Sequence, residues 1–324
     1  MLETVVLFAF GFCLLLKGAD ILTDAASDLA KKFKISNFMI GLLVVGIGTS
    51  IPEFIVTVLS NIHGSEKIGL GAVIGSNSFN IMIILGISAA ISPLILTKKQ
   101  VWHHLVLNLL AVLSVVAVLL LSVRPGASFL GQQFELSRAA GLLLILLFIT
   151  WIIYLKKINQ NSPAENEEKN INMRPGVFDL ILLVAGLVGV VIGGEWVTES
   201  SIEIARYFNL KESLIGLTVV GIGTSLPELF ASAVAAYKKN YGIAVGNVIG
   251  SNIFDFLMIL GVAAFMKPIP VASDLILDLV FTLAVSIILF VSVFIGKKYA
   301  IKRWQGIVFI LIYILYFAYL VKFH

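Results

Sequence analysis

The sequence predicts an all-α polytopic membrane protein with ten transmembrane helices in two inverted-topology five-helix repeats. Three observations lead there. Of 324 residues, 59% are hydrophobic and 13% charged, whereas a soluble domain carries about 45–50% apolar and ~25% charged residues. The apolar residues form long continuous runs, and the mean hydropathy is +1.02. Whole segments recur at an offset of 175 residues. This composition excludes a soluble globular enzyme, a disordered chain, a disulfide scaffold and a nucleic-acid binder. The single cysteine, Cys13, can form no internal disulfide.

About 20 residues of helix cross a bilayer. The apolar runs lie at 2–16, 37–60, 67–92, 101–123, 138–155, 177–193, 213–237, 242–266, 273–296 and 304–321. They lack the alternation of an outer-membrane barrel. The first run holds Glu3 and has no basic stretch before it, so it reads as a spanning helix rather than a cleaved signal. The first and sixth runs continue into amphipathic pieces, 19–33 and 194–208. The one long polar stretch, Lys156 to Pro175, separates a first repeat (1–155) from a second (176–324). It is too short to be a regulatory domain.

The basic residues set the direction. With ten spans, the loops on one side hold 15 Lys and Arg, among them Lys31, Lys98, Lys156, Lys238 and Lys302. The other side holds 7, and Lys17 lies within the first span. Cytoplasmic loops carry the excess of Lys and Arg. The expected topology therefore has a cytoplasmic central loop at 156–175 and both termini outside, in the cell membrane. The net charge of +4 follows from this bias and does not require an anionic partner.

Residues 41–86 and 216–261 align without a gap, with 22 of 46 positions identical. GIGTSIPEF (46–54) matches GIGTSLPEL (221–229), and GAVIGSNSFN (71–80) matches GNVIGSNIFD (246–255). Shared lipid composition would scatter Leu and Val matches but would not repeat two polar motifs at one spacing. Each half holds five spans, an odd number, so the second half enters the membrane from the opposite side. That is the inverted-repeat architecture of many secondary transporters, with the site near the midplane.

Glu53 and Glu228 sit well inside apolar runs, where a carboxylate is costly and marks function by default. Gly46, Thr49, Ser50 and Glu53 share one helical face, as do Gly221, Thr224, Ser225 and Glu228. Pro52 and Pro227 lack an N–H, so carbonyls near Gly48 and Gly223 lose their helix partner. A lone Pro would mark only a kink. Such oxygens are tolerated at membrane depth only when buried in protein or lining a cavity. The second motif adds Ser76 and Asn80, and its copy adds Ser251 and Asp255, a third intramembrane acid. Gly75 and Gly250 would permit close helix approach or local unwinding.

These ligands are all hard oxygen donors, and none of the four histidines falls in the motifs. Such a set favours Ca2+, Mg2+ or alkali ions over Zn2+. Ca2+ takes six to eight oxygens in flexible geometry, which suits the site better than Mg2+. Glu53, Glu228 and Asp255 offer a charge of at most −3. One Ca2+ with a proton on Asp255, or three Na+, would neutralise it, so the two loads compete for the same carboxylates.

At these residues the chain resembles the Ca2+/cation antiporter superfamily, most closely its prokaryotic Na+/Ca2+ exchangers. GTS[IL]PE and GSN-x-F-[ND] look like that family's two alpha-repeats, and the resemblance covers essentially the whole chain. It implies four cation positions at the midplane. Glu53 and Glu228 would be the main Ca2+ ligands, joined by backbone oxygens of Thr49 and Thr224. Ser50, Ser76, Ser225, Ser251 and the carbonyls of Gly46 and Gly221 would serve Na+. Asn80 and Asp255 would complete the central position. The first and sixth spans would slide for alternating access, with a hinge near Gly18 and Gly193–Gly194. Gly46 and Gly221 depart from the small residue, often Ala, of the family. The short linker has no Ca2+-sensing insert, which implies an unregulated core.

The expected function is therefore Na+/Ca2+ antiport. H+/Ca2+ antiport in the same superfamily is the alternative, and a passive cation channel is a distant third. No enzyme is expected, because the motifs pair no nucleophile with a base. The expected partners are Ca2+, Na+ or H+ and the lipid bilayer, with no nucleic acid, no obligate protein partner and no cofactor beyond the transported ions.

Overall fold

The computed structural model describes residues 2–33, 35–64, 66–121, 134–160, 176–207, 221–271, 273–296 and 299–323. In chain order these form α1 (Leu2–Lys32), α2 (Asn37–Thr49), α3 (Ile51–Ile62), α4 (66–91), α5 (Lys98–Leu121) and α6 (Arg138–Gln160). After the central segment come α7 (Gly176–Tyr207), α8 (Leu226–Tyr237), α9 (Tyr241–Met266), α10 (Ser273–Ser292) and α11 (Arg303–Phe323). Eight of these helices are long and apolar enough to cross a bilayer, and the bent pair α2–α3 makes a ninth crossing. The predicted span 213–237 is described from Gly221 onward, as a single turn Gly221–Gly223 followed by α8. Its first part, 213–220, lies outside the described residues, as does most of the polar stretch 156–175.

As expected, the first and sixth runs continue into their amphipathic pieces, without a break, giving helices of 31 and 32 residues. At 1.5 Å per residue each is about 46 Å long, well beyond the ~30 Å hydrocarbon core. The predicted hinge at Gly18 and Gly193–Gly194 is not a break in the backbone. A Cβ on Gly18 would sit 2.8 Å from the Val190 nitrogen, and one on Gly193 would sit 2.8 Å from the Gly11 carbonyl. These glycines let α1 and α7 touch backbone to backbone. Lys32, in the last turn of α1, forms an ion pair with the buried Asp179 in the first turn of α7.

The outer helices carry the apolar surface. On α6, Leu142, Leu146, Ile149 and Ile153 are exposed while Leu144, Trp151 and Leu155 are buried. An exposed apolar stripe at helical spacing is what a lipid-facing surface requires. α4 and α9 are the most enclosed of the long helices. Gly250 of α9 lies directly on the Leu42 carbonyl of α2, the close approach expected of it. Among the described residues a Cβ on Gly75 would meet nothing within 4 Å, and the counterpart of Leu42, residue 217, lies outside the described residues.

Four short strands interrupt the all-α reading. β1 (Leu94–Ile95) pairs antiparallel with β4 (Ala300–Ile301), and β2 (Phe134–Leu136) with β3 (Ile269–Val271). Connections at the ends of packed helices carry backbone groups that need partners, and pairing with another connection supplies them.

Contacts inside the bundle recur at the 175-residue offset. Thr57 donates to the Gly69 carbonyl at 3.4 Å, and Ser232 to the Ala244 carbonyl at 3.2 Å. Lys267 meets Glu66 at 2.5 Å, and at the corresponding positions Ser92 meets Tyr241 at 3.3 Å. Thr23 bonds the Ala19 carbonyl and Thr198 the Gly194 carbonyl, both at 2.8 Å.

Candidate cation-binding site

The first repeated motif breaks its helix where the prolines predict. Ser50 separates α2 from α3 with φ −82° and ψ 8°, and Pro52 occupies the first turn of α3. Ser225 precedes α8 with φ −91° and ψ 5°, and Pro227 follows it. The axes of α2 and α3 differ by 43°. A position-52 proline leaves the Gly48 carbonyl without its usual helical donor. Thr49, Ser50, Glu53, Ser225 and Glu228 are all buried, and Thr224 is half-buried.

The two glutamates are served across the repeats. Ser50 donates to Glu228 Oε1 at 3.1 Å, and Ser225 donates to Glu53 Oε1 at 3.5 Å. Asn247 joins this layer. Its amide nitrogen donates to the Glu228 carbonyl at 3.1 Å and its Oδ1 accepts from Thr49 at 3.2 Å.

The second motif adds a neighbouring layer from α4 and α9. Each helix has a π-helical turn beginning at or just before the polar residue, Asn80–Ile84 and Phe254–Ile259. Such turns occur often at functional sites. Asp255 Oδ2 accepts from Asn77 at 3.0 Å and from Ser76 at 3.3 Å. Asn80 donates to Asn252 Oδ1 at 3.0 Å. Ser251 donates to the Gly46 carbonyl at 3.0 Å. Ser76 instead also bonds the Val73 carbonyl, at 3.1 Å. Gly221 opens its single turn, and its surroundings fall outside the described residues.

The unpaired atoms give this cluster its chemistry. Among the described residues, Glu53 Oε2, Glu228 Oε2, Asp255 Oδ1, Asn77 Oδ1 and Asn80 Oδ1 are buried acceptors with no hydrogen-bond partner. Each such group costs about 1–3 kcal/mol, and more when charged. Asn252 Nδ2 is a buried donor left unpaired in the same layer, so five free acceptors stand against one spare amide donor, an excess that a positive charge would satisfy. Among the described residues no three His, Cys, Asp or Glu side chains cluster into a metal site by themselves. A cation here is held by carboxylates spaced among amides, hydroxyls and carbonyls, a hard oxygen set. Sequence reasoning missed Asn77, Asn252 and Asn247. The first two stand inside the repeated GSN. Asn247 carried no repeat signal, since Ala72 occupies the matching position.

Comparison with known proteins decides the family. The sodium/calcium exchanger protein family matches residues 3–157 and 178–322. The chain belongs to that family. It is 36% identical over 313 residues to an uncharacterised membrane protein of Methanocaldococcus jannaschii, covering 96% of each chain. It is 32% identical over 337 residues to the sodium/calcium exchanger MaX1 of Methanosarcina acetivorans, covering 94% of each. Among solved structures, the sodium-calcium exchanger NCX_Mj soaked with Na+ and Ca2+ superimposes with a TM-score of 0.82. That match has 34% identity and covers 98% of both chains. This exchanger-family chain is thus a helical integral membrane protein with the fold of a cation/Ca2+ antiporter, and the family and fold are those of transporters rather than enzymes.

Proposed function

We propose that this protein is a secondary active antiporter that exchanges Na+ for Ca2+ by alternating access at a midplane site. The observation that carries the reading is the set of five partnerless buried oxygens on Glu53, Glu228, Asp255, Asn77 and Asn80. Glu53 and Glu228 hold Ca2+ with backbone oxygens of Thr49 and Thr224. Ser50, Ser225, Ser76, Ser251, Gly46 and Gly221 supply Na+ ligands, and Asn80 and Asp255 complete the centre. Ten spans form two inverted repeats, 1–155 and 176–324, joined by the cytoplasmic linker 156–175. Both termini lie outside the cell membrane, and no cofactor takes part besides the transported ions.

Charge balance gives the mechanism. Three buried acids accept one Ca2+ with a proton, or three Na+, but not both loads together. Either loaded site is near neutral, so crossing the low-dielectric interior avoids the cost of an unbalanced buried charge. A half-loaded site would carry that cost, which couples the two fluxes.

The test is 45Ca2+ uptake by proteoliposomes loaded with Na+, with K+ or with acid. Uptake driven by the Na+ gradient supports the reading, and since both loaded sites carry the same charge it should respond little to membrane potential. Uptake driven equally by a proton gradient alone replaces it with H+/Ca2+ exchange.

A further inference from the structure

One ion-pair cluster lies outside the cation site and is not repeated at the 175-residue offset. Lys238 caps the C-terminus of α8. Its ammonium lies 2.5 Å from Asp20 Oδ1, 2.8 Å from Asp24 Oδ1 and 3.0 Å from the Asp20 carbonyl. Asp20 also pairs with Lys17 at 3.1 Å. The cluster fastens α1 to the end of α8. Burial alone would lower the Lys238 ammonium, but Asp20 and Asp24 outweigh it and hold the group above the ordinary lysine range.

Subtracting 175 from Lys238 gives His63, and adding 175 to Asp20 and Asp24 gives Glu195 and Glu199 on α7. The residue types are kept, a nitrogen base at the helix end and an i, i+4 pair of acids on the long helix. The backbones also match. His63 caps α3 with φ −79° and ψ 2°, and Lys238 caps α8 with φ −75° and ψ 2°. The next residues, Gly64 and Lys239, are both left-handed, with φ 82° and 62°. Yet His63, Glu195 and Glu199 are all exposed, and among the described residues none of them has an ion-pair partner. The charged groups beside His63 on the neighbouring elements are Glu66 of α4 and Lys267, which already pair with each other.

The two clusters stand at opposite ends of the bundle. α9 begins at Tyr241, three residues after Lys238. It ends at Met266, where Asn61, two residues before His63, bonds the Ala263 and Lys267 carbonyls at 2.6 and 2.9 Å. Contacts within the core repeat on both sides, as the Thr57 and Ser232 bonds do. The asymmetry therefore lies in where the α1–α7 pair sits against the core.

We propose that Lys238 with Asp20 and Asp24, and His63 with Glu195 and Glu199, are two latches that close alternately at opposite faces of the protein. The structure holds the Lys238 latch closed and the His63 latch open. Moving the α1–α7 pair toward the other position opens the first and brings the acids of α7 to His63. This rests on the alternating-access reading above.

The test places spin labels just after α1 and at the end of α8, at Phe33 and Tyr237, in a Cys13→Ser background. Both positions are exposed. The wild type gives mainly the shorter separation. Lys238→Ala moves population to a longer one. His63→Lys strengthens the far latch and moves population the same way, by about two- to fivefold, the range for partly exposed ion pairs. Glu195→Gln with Glu199→Gln cancels the effect of His63→Lys. A simple tie between α1 and α8 predicts no response to His63→Lys, and that result overturns the proposal. Folding is not at issue for His63→Lys, since the side chain is exposed. The readout needs no transport, so failure of the exchange assay and failure of the latch are seen separately.

Discussion

Ser50 Oγ stands 3.1 Å from Glu228 Oε1, in the other half of the chain, although Glu53 is only three residues away in sequence. Ser225 makes the corresponding reach to Glu53. Each half thus completes the carboxylate of the other. Ser50→Ala removes that donor and leaves a buried carboxylate oxygen unpaired. Apparent Na+ affinity should fall about tenfold, since 1.4 kcal/mol is a factor of ten. Concentration dependence of Na+-driven 45Ca2+ uptake measures it, and an unchanged half-saturation value counts against the hydroxyl as a ligand.

Glu228→Gln separates stability from function. The side chain is buried with one oxygen unpaired, and an uncompensated buried charge is strongly unfavourable. In ion-free buffer the variant should melt about 1.5–3 °C above wild type, as 1–2 kcal/mol implies for a chain of this size. Stabilisation by added Ca2+, which follows from binding to the folded state, should vanish. A variant that still gains stability with Ca2+ would remove Glu228 from the ligand set.

Asp255→Asn tests coupling. Asn77 and Ser76 both donate to Asp255, and an amide at 255 keeps the shape while removing one negative charge. Na+-driven exchange should drop at least tenfold, while 45Ca2+ equilibrium exchange in the absence of Na+ persists. Loss of both in parallel would make Asp255 a Ca2+ ligand instead.

The Glu66–Lys267 pair predicts a pH dependence outside the membrane. The Lys267 ammonium holds the Glu66 carboxyl below the ordinary glutamate range. Its contribution is complete above the unfolded-state value of about 4.3 and fades as pH falls through the lower folded value. Glu66→Gln should therefore melt below wild type at pH 7, and the difference should narrow progressively as pH falls below about 4.3. A gap that stays constant throughout the acid range would assign it to packing rather than charge.

Gly18→Ala should destabilise by about 1–3 kcal/mol, the cost of overpacking, because its Cβ would meet the Val190 nitrogen at 2.8 Å. Thermal melts in detergent would show it. An unchanged midpoint would mean that α1 and α7 can part without loss.

Membrane class, family and the three buried acids were legible because each is written in composition or in a repeated motif. Glu53, Glu228 and Asp255 stood out as carboxylates in apolar runs. Asn247 did not, since an isolated amide in a membrane helix reads as ordinary packing polarity. The continuation of α1 and α7 past Asp20 and Glu195 was legible in their amphipathic pieces, but what holds Asp20 was not. Lys238 supports Asp20 from another helix, and no local pattern announces that. The pairing of Asp278 with Tyr316 at 2.6 Å, which ties α10 to α11, was invisible for the same reason.

The π turn at Asn80–Ile84 makes helix length itself informative. A π turn holds one residue more than an α turn, so deleting one residue there restores a regular helix with its hydrogen bonds intact. Each residue advances a helix by about 100°. Because the wide turn absorbs its extra residue, such a deletion would leave Ser76 and Asn77 facing Asp255 and change only the turn itself, where Asn80 stands. A single-codon loss in this segment would bear on one ligand position, and a reading frame of motifs alone would not register it.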